Sequence, residues 1–283
     1  NSLSANTTGE GNTAMGSRAL TSNTTGDYNT ATGYDAMSQN SIGQLNTAYG
    51  MYSVRMNTTG NNNTGVGYGA IYANTIGNYN TAIGSDALGT NNTGIYNTAN
   101  GYQAGRFTAD GINFNYNSTS DYSVYLGANT KASADNAQNE IVIGYNAIGA
   151  GSNTIQLGNT SVTTIGGQVA WTAASDIRIK KNIINSNYGL STVLKLRPVE
   201  YNLISNNLRQ VGFIAQEVQK LVPEVVTGKE GDLKKGEILG ITYSNLVPVL
   251  TKAIQEQQKQ IEDQNKRIQR LEALVEQLIS KKK

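Results

Sequence analysis

The chain has 283 residues, enough for more than one domain. Only 15% are charged, 16 are Tyr, 31 are Gly and 3 are Pro. Disorder goes with high charge and few aromatics, so this balance points to an ordered but polar architecture. Cys and His are both absent. That excludes disulfides and thiolate metal sites and removes the commonest general base and metal ligand, so no cofactor and no metal are expected. The net charge of +2 hides a split: residues 1–174 carry 4 basic and 8 acidic side chains, and residues 175–283 carry 18 and 12. The composition therefore changes near residue 175, and neither part is basic enough, or patterned, for a nucleic-acid partner. No apolar run reaches the roughly 18 residues of a membrane span. A start at Asn1, without Met or a signal-like segment, reads as a piece of a longer protein.

Self-similarity dominates residues 1–105. An Asn-Thr pair recurs at Asn12, Asn29, Asn46, Asn63, Asn80 and Asn97, each 17 residues after the last. Gly16, Gly33, Gly50, Gly67, Gly84 and Gly101 follow four residues later; Gly9, Gly26, Gly43, Gly60, Gly77 and Gly94 stand three residues before. A further column, Asn6, Asn23, Asn40, Asn57, Asn74 and Asn91, lies six residues before the pair. Most other positions are small or apolar, such as Ala31, Ala36 and Met37 in the second repeat. No 3.6-residue stripe is present, and two Gly turns per unit predict a β-solenoid coil with two strands of three to five residues. Coils stacked at roughly 4.8 Å place identical residues over one another, which suits Asn ladders and Gly corners. An apolar face built largely from Ala is too little core for a lone thin solenoid. Obligate oligomerisation, with solenoids packed side by side, is the expected remedy.

The segments Gly11-Asn12-Thr13-Ala14-Met15-Gly16 and Asn80-Thr81-Ala82-Ile83-Gly84-Ser85-Asp86-Ala87-Leu88 resemble coils of trimeric autotransporter adhesin heads. The resemblance implies a left-handed parallel β-roll assembled as a trimer. Residues 106–140 break the period and read as an insertion or transition. The apolar-x-apolar-Gly units at Ile141–Gly144, Ile155–Gly158 and in Val162–Val169 read as further short coils. Tyr34, Tyr68 and Tyr102 follow the turn Gly of every second coil, and Tyr28, Tyr79 and Tyr96 precede the Asn-Thr pair. Such tyrosines either pack coil on coil or form an exposed aromatic ladder that stacks on sugars; Tyr34, Tyr68 and Tyr102 are the receptor-binding candidates.

The second part opens with Trp171-Thr172-Ala173-Ala174-Ser175-Asp176-Ile177-Arg178-Ile179-Lys180-Lys181-Asn182-Ile183. Val211-Gly212-Phe213-Ile214-Ala215-Gln216-Glu217-Val218, Leu221-Val222-Pro223-Glu224 and Gly240-Ile241-Thr242-Tyr243-Ser244-Asn245-Leu246-Val247-Pro248-Val249-Leu250 follow in order. Together these resemble the endosialidase-type intramolecular chaperone domain of phage tailspikes and tail fibres, over about residues 172–278. The resemblance implies a domain that drives trimer folding of the fibre before it. It also implies self-cleavage at the serine of the Ser-Asp pair, helped by a lysine five residues on. Carried over, Ser175 is the nucleophile, Lys180 the base, and the cut lies beside Ser175 and Asp176. A serine hydroxyl is weak until a neighbour takes its proton, and lysine acts as a base only as the neutral amine, which burial favours. Ser175-Asp176 reads equally as an ordinary helix N-cap. Residues five apart on a helix do not share a face, so the dyad requires a turn.

Secondary-structure signals beyond it fit a compact α+β module. A short helix is expected over Leu190–Leu196, a hairpin pairing Val199–Leu203 with Gln210–Phe213 about Ser205-Asn206-Asn207, and an amphipathic helix over 214–222 stopped by Pro223. Gly228–Gly236 reads as a charged loop. A long helix starts near Asn245, with Ser244 as cap. Its heptad seam places Val247, Ile254, Ile261, Ile268 and Val275 at a, and Leu250, Gln257, Gln264, Leu271 and Leu278 at d. The core candidates are Ile254, Gln257, Ile261, Gln264, Ile268 and Leu271. β-Branched a with Leu at d favours two strands; Leu274 and Ile279 widen the apolar face, and both resemblances imply three.

The expected class is mainly β with an α+β C-terminal domain: a trimeric left-handed parallel β-roll or solenoid, then a chaperone module and a coiled-coil helix. The divisions are 1–105 (six coils), 106–174 (β-rich transition and short coils), 175–243 (chaperone core) and 244–283 (helix). The expected function is that of a homotrimeric fibre tip or adhesin binding a cell-surface glycan or protein receptor. It would be extracellular, on a bacterial surface or a phage virion tail, without spanning a membrane in this fragment. The alternatives are a polysaccharide-degrading tailspike fragment, for which no pair of carboxylates stands out in the first part, and a passive spacer.

Overall fold

A computed structural model describes residues 1–109, 115–204, 207–233 and 237–281. Ser205 and Asn206 of the expected hairpin turn, and residues 234–236 of the charged loop, lie outside the described residues. The chain divides into two compact units, one holding Asn1–Thr164 and the other Ile165–Glu230 with Ile238–Lys283. The first therefore ends before the composition boundary at 174.

The first unit is a parallel β-solenoid. Strands β1 (Thr13–Met15), β2 (Thr30–Thr32), β3 (Thr47–Tyr49), β4 (Thr64–Val66), β5 (Thr81–Ile83) and β6 (Thr98–Asn100) pair in sequence order with a 17-residue register. The same sheet continues through β8 (Val124–Leu126), β10 (Ile141–Ile143) and β11 (Ile155–Leu157), nine strands in all. Two short strands, β7 (Phe107–Thr108) and β9 (Lys131–Ala132), pair beside it. The Thr98↔Val124 register makes one coil nine residues longer than the regular one, so the interruption is far narrower than 106–140. The 17-residue step then returns, and the last step, Ile141↔Ile155, shortens to 14. Val162–Val169 is exposed and forms no strand, so the short coil expected there is absent.

Each regular coil holds one three-residue strand, not two. The second expected strand is replaced by turns, in which Leu20, Met37, Val54, Ile71 and Leu88 adopt left-handed backbone with φ of 47–52°. That conformation costs an L-residue roughly 1–2 kcal/mol. It is held because each of these side chains is fully buried and each N–H donates to the next coil, as from Val54 to Ala70 O at 2.8 Å. The core they form with Ala19, Ala31, Ala36, Ala48, Ala82 and Ala99 is thin and aliphatic.

The repeated Asn and Gly positions form one device. Gly60 O accepts from Asn46 Nδ2 of the preceding coil and from Asn57 Nδ2 of its own, both at 2.8 Å. Asn46 Oδ1 in turn accepts the Asn63 N–H at 2.9 Å, and Asn57 Nδ2 also reaches Asn40 Oδ1 at 2.7 Å. All four asparagines are fully buried. A Cβ on Gly60 would sit 2.3 Å from both Gly77 O and Asn57 Oδ1, so this position admits only glycine. At the strand exit Gly50 has φ 128°, and a Cβ there would meet Gly67 O at 2.6 Å.

In the second unit, α1 (Leu190–Val193), α2 (Ala215–Gln219) and the hairpin of β12 (Val199–Asn202) with β13 (Arg209–Gly212) match the expected elements with shorter bounds. An unexpected second pair joins β14 (Val226–Gly228) to β15 (Leu239–Ile241). Val218, Val222, Val225, Leu246 and Val249 form its core. Helix α3 (Leu246–Ser280) has 35 residues and extends about 50 Å. Ser244 is not its cap: it lies in a 3-10 turn, Tyr243–Asn245, and Asn245 stands at the N-cap.

Replacing Asn63 by Ala should strand the buried Asn80 N–H, held at 3.0 Å, and leave Gly77 O with one of its two donors, the Asn74 amide at 3.0 Å. A loss of roughly 1–3 kcal/mol per orphaned group is expected, read as a lower denaturation midpoint of the full chain.

Candidate functional site

Ser175 and Lys180 meet across a tight turn. Ile177–Ile179 form a single 3-10 turn whose N-cap is Asp176, not Ser175. The Asp176 carboxylate accepts the Arg178 N–H at 2.8 Å and pairs with its guanidinium, Nη2 to Oδ2 at 2.6 Å. Bonds from both the backbone and the side chain of Arg178 to one carboxylate tie the turn down and bend the chain back on itself. Lys180 Nζ is thereby brought to 2.7 Å from Ser175 Oγ. The turn that five-residue spacing demands is present, and the competing N-cap role falls to the neighbouring residue.

All six residues from Ser175 to Lys180 are exposed. The hydrogen bonds from Arg178 hold the Asp176 carboxyl below the usual carboxylate range, and the same pair raises the Arg178 guanidinium. In this solvated setting the lysine ammonium donates to the serine hydroxyl. Geometry for proton transfer is in place, but the apolar surroundings that favour a neutral amine are not.

The α+β core of the second unit is built by packing and a few specific bonds. The Glu256 carboxylate of α3 accepts the Leu190 N–H at 2.8 Å and so caps α1. Tyr243 Oη accepts the Phe213 N–H at 3.0 Å, linking β13 to the approach of α3. Arg197 bonds Glu217 through Nε at 3.1 Å and holds its carboxyl low.

Along α3, Leu246, Val249 and Ala253 are buried, whereas Ile254, Ile261, Ile268 and Leu271 are 44–65% exposed. Gln257 and Gln264 are exposed as well, as is every residue from 257 to 281. The whole candidate seam is therefore bare in the single chain.

Of the receptor candidates, Tyr34 and Tyr68 are brought together through Tyr52, at ring-centroid distances of 5.7 and 5.9 Å, edge to face. Arg55 lies over Tyr52 and Tyr72 at 5.2 and 5.6 Å. Tyr102 is 52% exposed and stands apart from this cluster. The other tyrosine column singled out in the sequence forms a second strip: Tyr79 and Tyr96 stack in parallel, and Tyr122, which sequence reasoning missed, continues the stack, with centroids 4.6 and 5.4 Å apart. Tyr122 escaped notice because it falls in the lengthened coil, outside the 17-residue count. Among the described residues, no group of three or more acidic side chains could hold a metal ion.

Residues 175–227 match the family described as chaperone of endosialidase. No curated protein matches the chain. The match supports an endosialidase-type intramolecular chaperone domain in this segment and, with it, a trimerisation-chaperone role of the tail-fibre and tailspike kind. Among the described residues no helix is long and apolar enough to cross a membrane.

The depressed Asp176 carboxyl has a testable sign. Its bonds to Arg178 stabilise the turn above the ordinary aspartate pKa and are lost as pH falls through the lowered value. An NMR carboxyl titration should place Asp176 below a free aspartate, and Arg178→Ala should raise it part of the way back, since the backbone N–H at 178 still donates to the carboxylate.

Proposed function

We propose that the chain is the end of a homotrimeric fibre that engages a cell-surface receptor and is assembled by its own C-terminal module. In this reading 1–105 and 106–174, the latter as far as Thr164, form the left-handed solenoid body, 175–243 the chaperone core and 244–283 a three-stranded coiled coil. The observation that carries it is the Lys180–Ser175 hydrogen bond of 2.7 Å inside the family-matched segment. The bare apolar surface supports it independently. Met15, Tyr49, Ile83 and Ile155 project outward from the strands at 45–65% exposure, and the helix seam is equally uncovered. Packing three copies together covers both. The fibre works outside the cell, on a phage tail or a bacterial surface, and Tyr34, Tyr68 and Tyr102 are its receptor-binding candidates.

Processing follows assembly. Once neighbouring chains bury the pair, the neutral Lys180 amine takes the Ser175 proton, and the serine oxygen adds to the peptide carbonyl beside it. As the adduct collapses, the Ala174–Ser175 C–N bond breaks, the freed amine takes its proton from the Lys180 ammonium, and water hydrolyses the ester left on Ser175 Oγ, which frees the chaperone. A solvated pair leaves the chain intact.

Mass spectrometry of full-length material tests both steps. Native spectra should give three copies, and denaturing spectra two fragments meeting beside Ser175. Ser175→Ala and Lys180→Arg should leave the chain whole, because arginine keeps the charge but cannot serve as base. Ile261→Asn with Ile268→Asn should prevent assembly and cleavage together. Fragments unchanged in Ser175→Ala would remove the processing step, and a well-folded single copy would remove the trimer.

A further inference from the structure

One corner of the solenoid, just before each strand, carries Tyr28, Leu45, Asn62, Tyr79, Tyr96 and Tyr122 in successive coils. All six have left-handed backbone, with φ of 54–59°. Asn tolerates that conformation, whereas Leu and Tyr adopt it at a cost. Burial does not offset it here, since Leu45 is 53% exposed and the four tyrosines 48–60%.

The stack of Tyr122, Tyr96 and Tyr79, with planes within 8° of parallel, covers one face of Tyr79. It stops there because the next position is Asn62, which has no ring. The gap is a hollow of about 390 Å³ bounded by Tyr79, Leu45 and Ile42 and by the amides of Asn61, Asn62 and Asn78. Its volume falls within the roughly 300–1,000 Å³ range of ligand sites. No charged side chain lines it. The Asn61 and Asn78 side chains are engaged, Asn61 Oδ1 accepting from Gln44 N and Asn78 Oδ1 from Asn61 N, both at 2.8 Å. Among the described residues nothing bonds the Asn62 amide, which leaves a donor and an acceptor facing the hollow.

We propose that this hollow binds one ring of a neutral glycan. An aromatic wall, an aliphatic wall opposite and a free amide between them match a sugar ring, which has apolar C–H faces and a rim of hydroxyls. The absence of charge selects against sialylated or sulfated sugars, whose anions would find no cation here. The proposal rests on the receptor-binding reading but locates the contact on the strip other than Tyr34, Tyr68 and Tyr102.

The test uses assembled full-length protein on an array of neutral oligosaccharides, with sialylated and sulfated ones as comparators. The unaltered protein should retain neutral members. Tyr79→Ala should weaken that binding at least about tenfold. Asn62→Tyr should abolish it by continuing the stack into the hollow, with a residue the same column accepts at Tyr28, Tyr79, Tyr96 and Tyr122. Unchanged melting of either variant excludes misfolding as the cause. Undiminished binding by both overturns the site; if Tyr34→Ala or Tyr68→Ala then removes binding, the receptor reading survives on the other strip. Preference for the anionic sugars overturns the proposed chemistry, and an array with no signal overturns site and receptor reading together.

Discussion

The solenoid depends on buried side-chain amides that bond a glycine carbonyl from two sides. A buried amide is costly unless its donors and acceptors are paired. Here the pairing is cyclic: each Asn of the pre-strand column donates to a Gly carbonyl in the next coil and accepts an N–H from the next Asn. The Gly column lets the amides close in, and the amides fix the height at which the next Gly must lie. Neither can change alone. Directional bonds, rather than bulk, thus set the register of a core whose volume is mostly alanine.

The same device explains how the array tolerates irregularity and where it ends. Across the lengthened coil, the Asn97 amide still donates to Ser120 O, at 2.5 Å, and its oxygen still receives the Ser123 N–H, at 3.0 Å. The ladder is thus continuous across it. One coil later the column holds Glu140, fully buried, which takes N–H groups from Ser133 at 3.1 Å and Gly151 at 3.0 Å. The amide chain itself ends at Asn97; Ser123 follows in the column and its hydroxyl receives the Glu140 N–H at 3.2 Å, and after Glu140, whose carboxylate accepts but does not donate, the coil shortens. Alongside, Tyr125 occupies an alanine position, with Ala99 its register partner. Burial, with Glu140 adding to it, pushes its hydroxyl up to about 12.

What was legible in the sequence is what repeats or what obeys a single local rule. The period, the parallel register and the Asn and Gly columns follow from self-similarity, and the β12–β13 hairpin and α3 follow from patterning. The left-handed residues were not legible. Val54 and Ile71 look like strand residues, and only bonding to the next coil holds them where their own preference opposes it. The β14–β15 pair joins two short segments across a loop, with little alternation to reveal it. At the candidate processing site the residue types were legible but their meeting was not. It depends on Asp176 capping a turn with Arg178, a choice between two neighbouring caps that sequence leaves open.

Helix α3 meets two demands with two faces. Leu246, Val249 and Ala253 bind it to its own module. The seam of Val247, Leu250 and Ile254 lies one position further along, hence about 100° around the helix. Folding of the module therefore leaves the seam unused, and use of the seam does not unseat the helix. Beyond Glu256 the module contributes nothing, and the remaining turns carry exposed Ile261, Ile268, Leu271, Val275 and Leu278. An isolated amphipathic helix owes most of its stability to packing of its apolar face. In the proposed trimer that face meets other chains, and packing there adds to the stability of these turns. In the proposed order of events, with folding and assembly before the cut, the Ser175–Lys180 pair is geometrically set while it is still solvated.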